Sequence, residues 1–181
     1  FTQNGTGNSV LGDDLTSSTG AIAFGTDVQL NSTDAITIQT GEGDGDDLTI
    51  AGNLSSAANE SLTIDAGAAG DIDIDGTVQL NGGDLTITDA AVVDFAQTVG
   101  VAGFTQLDGT TSTTFNGLLT ATGNVDFTGQ DLTLNGAGNN SVGGTMEVSN
   151  AGTFTTADAA ELTANGNFTQ NGSGNSVLGD D

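Results

Sequence analysis

Apolar and polar residues alternate along this chain in short runs, and the runs recur from one end to the other. Taking positions i and i+2 together gives Ile22/Phe24, Val28/Leu30 and Ile36/Ile38, then Leu48/Ile50, Leu54 and Leu62/Ile64. Ile72/Ile74, Val78/Leu80 and Leu85/Ile87 follow, and after them Val93/Phe95, Val99/Val101 and Phe104. The remainder are Phe115, Leu119, Val125/Phe127, Leu132/Leu134, Val142, Met146/Val148, Phe154, Leu162 and Phe168. A period of two puts alternate side chains on opposite faces of a strand. Gly, Asn, Asp and Ser separate the runs, which is where turns belong. No segment has a helical i, i+3, i+4 stripe with caps; Ala90–Val93 comes nearest and is too short.

The pairs fall into threes, with two strands about six residues apart, a third about six to eight further on, and then a variable turn. Each triplet makes one coil of a three-faced parallel β-helix, with roughly 20–25 residues per coil. The expected fold is therefore all-β, a β-solenoid. A β-sandwich or closed barrel would alternate in the same way, but these strands are very short and hairpin turns are not evenly spaced. The Asn-Gly steps at 4–5, 81–82, 116–117, 135–136, 165–166 and 171–172 are expected to supply left-handed corner conformations. Aligning the coils places Ala23, Thr49, Asp73, Asp94, Thr114 and Thr133 in one outward column.

A longer repeat encloses the short ones. Residues 1–14 read FTQNGTGNSVLGDD and residues 168–181 read FTQNGSGNSVLGDD, differing only at Thr6 against Ser173. The offset is 168 − 1 = 167 residues. Chain 1–181 thus reads as one continuous solenoid segment in which 168–181 begins the next copy of the repeat that starts at residue 1. Self-similarity at fixed period is the mark of an array. About eight coils fill the 167-residue repeat, and at ~4.8 Å between stacked strands it rises roughly 38 Å. Finer echoes lie inside it, such as TDVQLNSTDAITI (26–38) against GTVQLNGGDLTIT (76–88).

Composition sharpens the functional reading. Asp and Glu number 24 while Lys, Arg and His are all absent, for a formal charge of −24. Low hydrophobicity with high net charge favours disorder; here the hydrophobic fraction is 35%, and the regular alternation argues instead for a narrow fold with a small core. Without basic residues nothing can neutralise phosphate, so no nucleic-acid partner is expected. Cys is absent too, and with it thiol chemistry; the lack of His removes a Ser-His-Asp triad. Paired carboxylates could in principle hydrolyse glycosides, but no Arg, Lys, His, Tyr or Trp is present to bind or stack on a sugar. No enzymatic role is expected. No run approaches ~18 consecutive apolar residues, so no transmembrane segment is expected. The missing initiator Met suggests an internal piece of something larger.

The runs D-L-T-I (47–50), G-T-V-Q-L-N-G (76–82), G-N-V-D-F-T-G (123–129) and D-L-T-L-N-G (131–136) resemble strand-repeat passenger regions of large bacterial secreted surface proteins. These are of the filamentous-haemagglutinin and autotransporter type. The resemblance implies secretion from a prokaryote, a right-handed parallel β-helix, and a rod-like adhesive or scaffolding role. The expected function is a structural repeat unit of a cell-surface or extracellular-matrix filament, its partner being itself, end to end. The alternative is the stalk of an adhesin whose binding tip lies outside this segment.

The acids offer one candidate site. D-I-D-I-D-G (71–76) matches the start of an EF-hand loop, but its twelfth position is Gly82 and no helices flank it. G-E-G-D-G-D-D-L-T (41–49) resembles one calcium-binding nonapeptide without an adjacent copy. Stacking is the stronger argument. Asp73 and Asp94 share a column, and Asp47 lies one coil from Asp71; like charges so placed repel. Relief is expected from protonation, water and screening, or bound cations, with Ca²⁺ the natural oxygen-ligated candidate. The candidate metal residues are Glu42, Asp44, Asp46, Asp47, Asp71, Asp73, Asp75 and Asp94. The plainer reading is that these acids solvate the rod and discourage lateral aggregation.

Overall fold

A computed structural model describes residues 1–179. Their regular structure is all strand, wound into coils of three. The first coil holds β1 (Thr2–Gln3), β2 (Ser9–Leu11) and β3 (Leu15–Thr16), the second β4 (Ile22–Phe24), β5 (Val28–Leu30) and β6 (Ile36–Gln39). The third has β7 (Leu48–Ile50), β8 (Leu54–Ser56) and β9 (Leu62–Asp65), the fourth β10 (Ile72–Ile74), β11 (Val78–Gln79) and β12 (Leu85–Ile87). Next come β13 (Val92–Phe95), β14 (Val99–Val101) and β15 (Phe104–Gln106), then β16 (Ser112–Phe115), β17 (Leu119–Ala121) and β18 (Val125–Gly129). The last two full coils are β19 (Asp131–Leu134), β20 (Gly138–Val142), β21 (Met146–Asn150) and β22 (Thr153–Thr156), β23 (Ala160–Ala164), β24 (Phe168–Gln170). A further strand, β25 (Asn175–Leu178), begins a ninth.

Every third strand stacks on the one before. Sheet A runs β1-β4-β7-β10-β13-β16-β19-β22-β25, sheet B runs β2 to β23, and sheet C runs β3 to β24. All the ladders are parallel, with equivalent residues 19 (Thr114 to Thr133) to 26 (Ala23 to Thr49) positions apart. The fold is the expected three-faced β-solenoid of about eight turns. The outward column anticipated from the sequence is present residue for residue: Ala23, Thr49, Asp73, Asp94, Thr114 and Thr133 are successive register partners.

The alternating residues fill the interior. Ile22, Phe24, Val28, Leu30 and their counterparts through Phe154 are buried, and Phe95 stacks on Phe115 at 4.9 Å with Phe104 edge-on to both. Leu162 is only partly buried and Phe168 is exposed, since the described coils end above them. Polar side chains also point inward, which alternation of apolar residues cannot reveal. Gln106 accepts from the Thr113 hydroxyl at 2.7 Å, and both are buried. Asn140 accepts from the Leu119 N–H at 2.9 Å and donates to the Glu161 carbonyl at 3.0 Å, so a buried amide is fully used.

The corner from sheet A to sheet B has three residues in every coil from the second to the eighth, whereas the corner from C to A ranges from one residue (Gln130) to eight (40–47). Where glycine holds the middle of this corner (Gly52, Gly76, Gly117 and Gly136) the coil beneath comes too close for a side chain, whereas Thr26, Gln97 and Asp158 hold the same position in the other coils. A Cβ on Gly136 would lie 2.4 Å from the Gly117 carbonyl oxygen, and one on Gly76 would lie 2.3 Å from that of Gly52. Close approach, not left-handed backbone, therefore explains Asn116-Gly117 and Asn135-Gly136. Of the Asn-Gly steps only Asn81 has positive φ, at 59°, which corrects the expectation that these steps supply left-handed corners. Gly136→Ala should cost about 1–3 kcal/mol in chemical denaturation by overpacking. Gly7→Ala, with nothing within 4 Å and no positive φ, should change stability by less than about 0.5 kcal/mol.

Candidate functional site

With no basic side chain, the carboxylates must find other donors. The structure supplies them from the backbone one coil further on. Asp47, just before β7, accepts the N–H of Asp71 at 2.9 Å, while the Leu48 N–H donates to the Asp71 carbonyl at 2.9 Å. A two-bond ring thus ties a polar-apolar dipeptide to its register equivalent, and both backbone groups of Asp71 are satisfied. The same ring joins Asp27-Val28 to Asn53, Asn53-Leu54 to Thr77, Ser61-Leu62 to Asp84 and Asn124-Val125 to Thr145. Side-chain caps of the same kind run from Asp14 to the Thr37 N–H, from Asp71 to that of Val92, and from Asp131 to that of Thr153. Each cap residue immediately precedes an apolar residue that faces inward, namely Leu15, Val28, Leu48, Leu54, Leu62, Ile72, Val125 or Leu132. The arrangement does at strand starts what N-caps do for helices: it satisfies an amide that would otherwise be left over.

These bonds place several of the candidate metal residues. Asp47 and Asp71 belong to one capping chain, so backbone amides relieve them; the expected sources of relief, protonation, screening and cations, omitted this one. Asp46 turns into its own loop and accepts from the Gly43 N–H at 3.0 Å, with Glu42 and Asp44 exposed beside it. Asp73 and Asp94 are direct register neighbours on sheet A. Burial, then Asp75 and Asp94, push the Asp73 carboxyl above the usual aspartate range. Asp94 has a donor in the Asn116 amide at 2.6 Å, and Asn116 in turn accepts from Asn135 at 3.1 Å. The eight residues thus occupy three places: the loop 40–47, the capping chain at the start of β7 and β10, and the outward column of sheet A with Asp75 just beyond it. Among the described residues no group of three or more acids is arranged to hold a metal ion.

Two acids not singled out by sequence also have displaced carboxyls. Glu60, in the corner between β8 and β9, is buried and accepts from the Ser56 hydroxyl, from the Ala58 N–H at 2.7 Å and from the Ser32 N–H at 3.2 Å. The Ser56 bond, then that of Ala58, outweigh desolvation and hold its carboxyl down to about 2. Asp89 is the opposite case. Burial, then Asp108 and Asp65, raise its carboxyl, and its Oδ1 is buried without a hydrogen-bond partner. Neither lies in a repeated motif. The signal for Glu60 is faint: an acid between Asn59 and Ser61 in the five-residue corner 57–61.

Fold and site together define a class, an acidic three-faced β-solenoid whose coils are joined by side-chain caps at strand starts. No family model matches the chain, and no curated protein or solved structure matches it.

Two substitutions test the capping chemistry. Asp47→Ala should lower stability by about 1 kcal/mol, the typical loss on removing a side-chain cap, while Asp47→Asn should retain most of it, since Asn53 and Asn124 cap in the same way. Equal losses in denaturation would mean that charge at Asp47 matters and the acceptor does not. For Glu60 the sign follows from its lowered carboxyl: the stabilisation is present above the unfolded value of about 4.5, and lost as pH falls through about 2. Glu60→Gln should therefore melt below the parent at pH 7, and the gap in melting temperature should close between about pH 4.5 and 2.

Proposed function

We propose that the chain is a structural repeat unit of a cell-surface or extracellular-matrix filament, in which β-solenoid coils continue end to end through successive 167-residue units. The observation that carries the reading is the duplicated segment: residues 168–179, which repeat 1–12, join the coil stack through β24 and β25. The open apolar surfaces agree. Of the large hydrophobic residues that are exposed, Phe1, Val10, Phe168, Val177 and Leu178 lie in the terminal coils, and only Leu107 lies between them. Above the eighth coil a depression of about 570 Å³ is lined by Phe154, Leu162, Phe168 and Leu178, the place where another coil would seat its inward residues. Such stacking buries apolar surface at each junction, at about 25 cal/mol per Å².

In this reading the acids keep the filament hydrated and laterally separate, and cations from the medium, Ca²⁺ among them, neutralise columns such as Asp73 and Asp94. The role is mechanical and non-catalytic. It follows that a chain of three consecutive units should form one rod, lengthening by roughly 38 Å for each unit added. Electron microscopy of one-, two- and three-unit chains measures this directly. Separate globules joined by flexible links would overturn the proposal.

A further inference from the structure

The two copies of the duplicated segment have the same local structure on different faces of the solenoid. In the first copy Gln3 is in register with Phe24, and Ser9 and Leu11 with Val28 and Leu30. In the second, Phe168 and Gln170 are in register with Met146 and Val148, and Ser176 and Leu178 with Phe154 and Thr156. All these register partners are buried, so equivalent residues point inward both times and Val10 and Val177 point outward both times. Even the local amide bond is kept: Gln3 Nε2 donates to the Gly7 carbonyl at 2.9 Å and Gln170 Nε2 to that of Gly174 at 3.3 Å. Yet β1 and β2 lie in sheets A and B, whereas β24 and β25 lie in sheets C and A.

From β1 to β24 is 24 − 1 = 23 strands, one short of the 24 that would return the chain to its starting face. We propose that successive 167-residue units are rotated by one face, so that sheet C of one unit runs into sheet A of the next, A into B and B into C. This rests on the tandem reading above and adds the phase between units. The two copies then show the two sides of one junction. Residues 168–179 show the segment on the coil beneath it, with Phe168 against Phe154 at 5.6 Å, and residues 1–12 show it under the coil above, with Phe1 against Phe24 at 5.3 Å.

The segment tolerates both positions because its turn is long. Residues 4–8 cross from A to B where later coils use three residues, and 171–174 cross from C to A, a corner of variable length throughout. The consequence is electrostatic. A face-preserving array would align the Asp73–Asp94 pair of every unit on one side of the filament. A one-face rotation distributes the pairs over three sides, and three units (69 strands, 23 coils) restore the phase.

Nitroxide pairs on this chain separate the alternatives. Val177 is the register partner of Thr155 on sheet A; in a face-preserving unit it would follow the Val10 position on sheet B, next to Thr163. Thr155→Cys/Val177→Cys should show dipolar broadening equal to that of Thr133→Cys/Thr155→Cys, a register pair within the body of the solenoid. Thr163→Cys/Val177→Cys should stay narrow. Broadening of the Thr163 pair alone would overturn the rotation and leave the tandem reading intact. If the control pair broadens and neither Val177 pair does, the second copy does not continue the stack, and both readings fall.

Discussion

The coil-to-coil parallel ladder is the constraint on which the rest of this structure depends. Strands of two to five residues have no stability of their own; each is held by the equivalent strand above and below and by the apolar side chains it turns inward. Anything that interrupts the stacking direction therefore costs more than a local contact. That explains the absence of proline, which would remove ladder donors, and the glycines at the middle of the three-residue corner, where the carbonyl of the coil beneath comes within contact distance of a missing Cβ. It also explains why the interior accepts Gln106, Thr113 and Asn140, since each is wired into a neighbouring coil or corner by hydrogen bonds.

The ladder must also carry 24 acids with no basic side chain. A carboxylate placed just before a strand accepts the amide of its register equivalent one coil on, and so does the work at a corner that an ion pair does elsewhere. Charge-assisted bonds of this kind are short and stronger than neutral ones. Asn53, Asn124 and Ser61 fill the same position without a charge, which identifies the acceptor oxygen as the essential feature. Asp73 and Asp89 accept no such amide, and their protonation is favoured by burial first and by neighbouring acids second.

Much of this was legible in the sequence. Alternation located the inward residues, and aligning the runs recovered the column from Ala23 to Thr133, because a period of two has only one way to bury its apolar half. Less was legible at the corners. Capping depends on which side chain meets which amide 21 (Asp71 to Val92) to 26 (Asp27 to Asn53) residues away, and D-L or N-L written along the chain does not say so until coils are stacked. Glu60 escaped for the same reason: its donors Ser32 and Ser56 come from two coils. The inward polar residues broke the apolar pattern and so left gaps in it at Gln106, Thr113 and Asn140.

Each coil is bonded in parallel to its equivalent in the next. Through-hydrogen-bond nitrogen–carbonyl couplings in solution NMR report such bonds one at a time. Couplings are expected from the Leu48 amide to the Asp71 carbonyl, from Val78 to Thr98 and from Met146 to Asn167, each joining residues 20–23 positions apart. Couplings between adjacent runs in the sequence, as hairpins would give, would contradict it.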